Sequence, residues 1–210
     1  MSGVVAGTGQ GTGRREERKA ENRAKLLAAA RKVFAEKGVG EATARDIVRE
    51  TDLATGTFYN YFADKDAAFQ ALLDDASEKS RAMAREQRTA PGRSLEERVA
   101  GAYRTYFEWA VSERELFAVF RRNAGLITFT PGDEGIFESG ISEMFEDFAA
   151  WARAGDIPEL DFDYLATSTV AAGFQIASRL VERDPPDVEA ATRFCTCLFL
   201  GGVRALAEEN

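Results

Sequence analysis

Apolar residues recur along this chain at three- and four-residue intervals, and helices are the elements that this spacing predicts. Leu26, Ala30, Val33 and Phe34 form the first stripe, on a helix from about Arg15 to Lys37 that Gly38 stops. Thr43, with Asp46 three residues on, marks the start of a short helix whose apolar pair, Ile47 and Val48, can face a core. Phe58 and Phe62, at i and i+4, point inward from a second short helix. At 100° per residue the opposite side shows Gly56, Thr57 and Asn60, flanked by Tyr59 and Tyr61. Asp64 caps a longer helix that starts at Lys65, carries Phe69, Leu72 and Leu73, and turns polar from Asp74 to Arg88.

Thr89 to Arg93, with Pro91 and Gly92, breaks the pattern, and Ser94 to Glu97 reads as a capping-box start for a helix with Val99, Tyr103, Tyr106, Phe107 and Ala110. A shorter helix, Glu113 to about Arg122, bears Leu116, Phe117, Val119 and Phe120. Leu126 to Thr130 is strand-like in propensity but has no evident pairing partner, so it is expected as a loop packed on the core. Phe137, Ile141, Met144, Phe145, Phe148 and Trp151 mark a long amphipathic helix ending near Gly155. Two last helices, about Asp163 to Arg183 and Asp187 to Glu208, are separated by Asp184, Pro185 and Pro186. Both are apolar and rich in small residues, and Gly201 and Gly202 in a helix interior cost roughly 1 kcal/mol each against alanine. Close helix approach would offset that cost. Residues 1–13 hold five glycines and no charge and are expected to be a disordered tail.

The region from Thr43 to Lys65 is thus two short helices joined by a tight turn and leading into a third, the pattern of a helix-turn-helix. The exposed side of its second helix carries small hydroxyls, an amide, a glycine and tyrosines, a surface that can lie close to a DNA groove. With Thr43, Arg45 and Ile47, then Leu53 to Phe62, then Asp64 and Lys65, the chain resembles the TetR family of bacterial transcription regulators. It departs from the family pattern at Thr51 and Asp52, where a small residue and glycine are usual, and at Tyr61, where histidine is common. Asp52 can take a left-handed or turn conformation there.

Composition is ordinary for a globular chain, with 45% hydrophobic and 30% charged residues in 210. No apolar run is read as long enough to span a membrane, and the N-terminus lacks a basic region followed by an apolar one, so a cytoplasmic protein without membrane contact is expected. There is no histidine, which removes the commonest general base and metal ligand; no cofactor, metal or enzyme activity is expected. Cys195 and Cys197 lie about 200° apart on a helix and are read as buried thiols rather than a disulfide or chelating pair. The net charge of −8 hides an asymmetry. Residues 1–72 hold 12 basic and 10 acidic groups, against 15 and 25 in the remainder, so the positive end coincides with the helix-turn-helix. Nine basic residues between Arg14 and Lys37 lie beside it and suit phosphate contact.

The reading is therefore an all-α protein: a tail (1–13), a three-helix DNA-binding head (14–64), and a larger helical effector-binding and dimerisation domain (65–210). The resemblance implies a homodimer that places the Thr55 to Tyr61 helix of each subunit in successive major grooves of double-stranded operator DNA. Arg45, Thr55, Gly56, Thr57, Tyr59 and Asn60 are the candidate base readers; Thr43, Tyr61 and Lys65 are the candidate phosphate contacts. It also implies an effector site among the aromatic middle helices, which carry Tyr103, Tyr106 and Trp109 besides the candidates. Those are Phe107, Phe117, Phe120, Arg121, Phe137, Met144, Phe148, Trp151, Phe174 and Gln175, for a largely apolar small molecule; Arg122, Asn123, Thr128 and Ser168 are further polar candidates. Leu165, Ala172, Ile176, Phe194, Leu198, Gly201 and Ala205 are the candidate dimer interface. The implied function is a repressor released from a palindromic operator by its effector. The alternative is a helical ligand-binding or scaffold protein without DNA binding.

Overall fold

The computed structural model describes residues 10–123 and 137–208. Among them are nine helices and no strand: α1 (Gln10–Lys37), α2 (Ala44–Arg49), α3 (Thr55–Phe58), α4 (Lys65–Arg88), α5 (Leu95–Ser112), α6 (Arg114–Arg122), α7 (Glu138–Ala154), α8 (Phe162–Leu180) and α9 (Val188–Glu208). The expected all-α class and its order are met. Helix α1 begins at Gln10, earlier than the expected Arg15, and runs through Gly11 and Gly13, because extending an established ladder costs far less than nucleating one. The expected loop at Leu126 to Thr130 lies outside the described residues.

The chain forms two compact units, one ending at Leu72 and the other beginning at Leu73. The expected boundary at 64/65 is therefore eight residues early. The first two turns of α4 belong with the head because Phe69 packs edge-on against Phe34, ring centroids 5.6 Å apart. Around them Leu26, Ala30, Ile47, Phe58 and Ala68 are fully buried.

Local signals set the ends of the head helices. Gly38, at φ 79°, takes the left-handed conformation that closes α1. At Thr43 the capping box is complete: the hydroxyl accepts the Asp46 N–H at 3.1 Å and donates to Asp46 Oδ2 at 2.7 Å, and the Thr43 N–H donates to the same oxygen at 3.1 Å. Asp64 Oδ1 accepts the Ala67 N–H at 2.8 Å and caps α4. The α2–α3 turn needs no left-handed residue. No non-glycine among the described residues has positive φ, so Asp52 does not take that conformation. Instead Thr51 Oγ1 donates to the Val48 carbonyl and accepts the Leu53 N–H, a side-chain turn that does the work glycine would do. Lys65 then reaches back, its Nζ donating to the carbonyls of Val39 at 2.6 Å and Gly40 at 2.8 Å. The ammonium thereby ties the start of α4 to the turn after α1.

In the second unit α5 packs against α9 and α8, and α7 against α8. Val99, Phe148, Trp151, Phe162, Ala166, Phe199 and Val203 form its buried cluster. The capping box at Ser94 and Glu97 starts α5, and Gly155 at φ 80° ends α7, as the sequence predicts. Arg114 donates to the carbonyls of Val181 and Arg183 and so satisfies the end of α8. Helix α9 corrects one expectation: by length and composition it is apolar enough to cross a membrane, with a mean hydropathy of 1.2 over its best window. Here one side of it is core, with Ala191, Cys195, Phe199 and Val203 buried.

Two tests follow from the head. Replacing Lys65 with methionine keeps the aliphatic stem but leaves the Val39 and Gly40 carbonyls without their donor, and is expected to cost about 1–3 kcal/mol in thermal or urea unfolding. The Asp46 carboxyl is held at about 2, down from 3.8, first by the Thr43 hydroxyl and next by Lys37. Because the folded value is depressed, the stabilisation is complete above about 3.8 and is lost as pH falls through about 2. The melting temperature of Asp46→Asn should therefore fall less steeply across this interval than that of the unaltered chain.

Candidate nucleic-acid interface and cavity

On the head, Arg45, Thr55, Gly56, Tyr59 and Asn60 are exposed, whereas Thr57 and Tyr61 are half-buried. Regular helix in α3 stops at Phe58, shorter than the expected Thr55 to Tyr61. The chain nonetheless continues to coil: Tyr59 is in the right-handed helical region, and the N–H groups of Asn60, Tyr61 and Phe62 donate to Thr57, Phe58 and Phe58 carbonyls. Phe58, fully buried, anchors this element from beneath; the Phe62 ring lies 5.5 Å from it and the Tyr59 ring 5.4 Å. Tyr59 remains 59% exposed, projecting its phenol outward. A Cβ added at Gly56 would meet nothing within 4 Å, so the chain itself does not require glycine there.

The phosphate candidates divide. Thr43 is exposed, but its hydroxyl hydrogen is given to Asp46, so it serves as the α2 cap. Two of the three Lys65 donors are spent on backbone carbonyls, which makes the lysine first a staple of the head. Tyr61 lies with its ring 6.5 Å from Phe62. Within the basic run, three of the four lysines pair with acidic groups: Lys25 with Asp52 and Glu21 at 3.5 Å, Lys32 with Glu50 at 2.6 Å, and Lys37 with Asp46 at 3.0 Å. They fasten α1 to α2 and its following turn. Arg14, Arg15, Arg18 and Lys19 are exposed along the first turns of α1, and Arg45 and Arg49 along α2.

The second unit contains a cavity of about 160 Å³. Phe120, Phe137, Met144, Phe148, Trp151 and Phe174 line it, six of the ten residues expected. Phe107 and Phe117 do not; both are fully buried in ring packing, Phe107 on Tyr103 and Tyr106, Phe117 on Trp109, Phe120 and Phe174. Gln175 is exposed on α8, one position past Phe174 and therefore turned about 100° away. The Arg121 side chain and Thr128 lie outside the described residues. Asn123 donates to the Val119 carbonyl at 2.7 Å as a helix-end cap, while Arg122 and Ser168 are exposed.

What the sequence reading missed is the wall built by α4. Ala76, Ser80, Ala84 and Arg88 recur every four residues and are buried within a segment that reads as polar. The four-residue spacing of small side chains was the available signal. At this wall Arg81 Nη1 meets Glu143 Oε1 at 2.8 Å, Arg88 Nε meets Asp147 Oδ2 at 2.6 Å, and Arg88 Nη2 lies 3.6 Å from Glu143 Oε2. Arg88 is only 6% exposed. Gly173 brings α8 close to α5: a Cβ there would lie 3.9 Å from the Tyr103 ring and 4.0 Å from that of Tyr106.

A third surface lies on α8 and α9. Phe194 and Leu198 are 60% and 58% exposed, Gly201 and Ala205 are exposed beside them, and Leu165, Ala172 and Ile176 are half-buried. A Cβ on Gly201 or Gly202 would meet nothing within 4 Å. The cysteines differ: Cys195 is buried, and burial pushes its thiol up to about 11, whereas Cys197 is exposed on the same face as Phe194. The reading of both as buried is corrected for Cys197.

Residues 26–72 match the family described as bacterial regulatory proteins, tetR family. Over 51 residues, 24% of this chain, it is 43% identical to the HTH-type transcriptional regulator YvdT of Bacillus subtilis, and over 69 residues, 33% of the chain, 36% identical to the HTH-type transcriptional repressor Rv1474c of Mycobacterium tuberculosis. These alignments span only 26% and 37% of the two relatives' own lengths. The likeness of fold is far longer: the fatty acid degradation regulator FadR of Bacillus halodurans superposes with a TM-score of 0.71 at 20% identity, covering 87% of this chain and 96% of that one. The matched segment coincides with the capped α2–α3 pair, so the head is similar to that of bacterial regulatory proteins of the tetR family, and the helical fold is shared along nearly the whole length.

Proposed function

We propose that this protein is a sequence-specific DNA-binding transcriptional regulator, a cytoplasmic homodimer rather than an enzyme, that represses from a palindromic operator and is released by a small molecule. One observation carries the reading: within the family-matched segment, Arg45, Thr55, Gly56, Tyr59 and Asn60 are exposed, on helices capped and anchored from below. Arg, Asn and hydroxyl groups read base edges in a major groove, and a glycine with open space around it lets the backbone come close. Arg14, Arg15, Arg18, Lys19 and Arg49 supply phosphate attraction, since the lysines at 25, 32 and 37 and most of Lys65 are engaged within the head.

Dimerisation rests on the exposed apolar face of α8 and α9. Two glycines in a helix interior are costly, and no described residue lies close enough to account for them; a second copy packing at close range would. The same packing removes Phe194 and Leu198 from water, at about 25 cal/mol per Å² of apolar surface. An effector in the cavity would favour a spacing of the two heads that no longer fits successive major grooves.

Selection of bound sequences from a random DNA pool should return a palindrome. Tyr59→Ala with Asn60→Ala should then lose preference for it by about tenfold or more, since base contacts are worth about 1–3 kcal/mol each. Unchanged preference would place the reading surface elsewhere, and failure to enrich any sequence would favour a ligand-binding protein without DNA binding. Leu198→Glu should sediment as a monomer and lose most of its affinity for the palindrome; a dimer in that variant would refute the α8–α9 interface.

A further inference from the structure

Resting on the regulator reading for its biological role but not for its test, we infer that the cavity ligand is an uncharged aromatic molecule bearing a hydrogen-bond acceptor. The pairing of the charged groups described at the cavity wall argues against an anchored acid. Among the described residues Arg81, Arg88 and Glu143 are the charged groups that line it, and Asp147 pairs with Arg88. Each guanidinium already has its carboxylate, at 2.8 Å for Arg81 and 2.6 Å for Arg88, so two cations meet two anions. An incoming carboxylate would compete with Glu143 and Asp147 for guanidinium groups they already neutralise, in a site of low polarity, and an incoming amine would face the two arginines. Either leaves a buried charge without compensation, which is costly.

Besides the charged groups, two neutral donors face a ligand. The hydroxyls of Tyr103 and Tyr106 have no hydrogen-bond partner among the described residues, and both tyrosines border the cavity. Burial pushes both phenols well above their ordinary value, and in Tyr103 the neighbouring Cys195 adds to the rise, so they stay protonated as donors. A buried donor without an acceptor is destabilising, and a ligand oxygen relieves it. The rest of the wall is flat and aromatic. Phe120 and Phe137 each meet the Phe174 ring, at 5.9 and 5.0 Å, the setting for a ring that stacks or meets edges.

Three probes of one size separate the features: 2-acetylnaphthalene, neutral with an acceptor; 2-ethylnaphthalene, neutral without one; and 2-naphthoate, charged at pH 7. Binding is read on the full chain without DNA, by tryptophan fluorescence and calorimetry. The ketone is expected to bind about fivefold tighter than the ethyl compound, the worth of about one net hydrogen bond, and at least about tenfold tighter than the naphthoate. Tyr103→Phe with Tyr106→Phe should remove the ketone's advantage while leaving the ethyl compound unchanged. Glu143→Gln, which unbalances the cavity towards positive charge, should improve naphthoate binding selectively. Naphthoate binding as tightly as the ketone to the unaltered chain, equal losses for both neutral probes in the double tyrosine variant, or no binding of any probe would each overturn the inference. DNA binding is scored separately: a chain that selects a palindrome but binds none of the probes loses this inference alone, and one that binds the ketone but no DNA loses the regulator reading alone.

Discussion

Six and four residues are too few for an α-helix to persist in water, because nucleation fixes several dihedrals before the first hydrogen bond returns anything. The two helices of the candidate interface, α2 and α3, therefore exist only as parts of a tertiary unit. Phe58 and Ile47 are fully buried beneath them, the Thr43–Asp46 box holds the start of α2, Thr51 makes the turn, and Lys65 fixes the chain on the far side. The lysines of α1 fasten the same turn from outside through Glu50 and Asp52. Much of the head's positive charge is thus occupied in holding these two helices in place.

The caps and stops were legible in the sequence because each depends on two or three residues close in the chain. Thr43 with Asp46, Asp64, Ser94 with Glu97, Gly38 and Gly155 all act over at most three positions, and a hydroxyl or carboxylate beside free N–H groups has few other places to go. The partners of long side chains were not legible. Lys65 in sequence is a cation at a helix start, and only the fold places the Val39 and Gly40 carbonyls 26 and 25 residues away within its reach. The turn at Asp52 shows the same limit from the other side: left-handed backbone was the obvious route, and a threonine hydroxyl made it unnecessary.

The cavity was legible as a composition but not as a surface. Periodicity identifies the inward side of a helix, and there an aromatic ring can either fill the core or border a space; Phe117 and Phe120 lie on one helix, yet only Phe120 reaches the cavity. Small residues carried the missing information. Ala76, Ser80 and Ala84 bear little apolar surface, so a stripe of them beside acidic and basic residues reads as solvent-facing. Absence of bulk is what leaves room, and hydrophobicity does not register it.

The neutrality of the charged network beside α4 has a consequence beyond the cavity. Charged molecules cross lipid slowly because each carries its desolvation penalty through the hydrocarbon, whereas an uncharged aromatic molecule with one or two acceptors does not. If the inferred ligand class holds, a cavity whose arginines are already compensated would suit compounds that permeate the cell envelope without a carrier. Its occupancy would follow their concentration outside the cell, and the pairing of Arg81 with Glu143 and of Arg88 with Asp147 would decide that the protein reports on the environment rather than on the cell's own ionised metabolites.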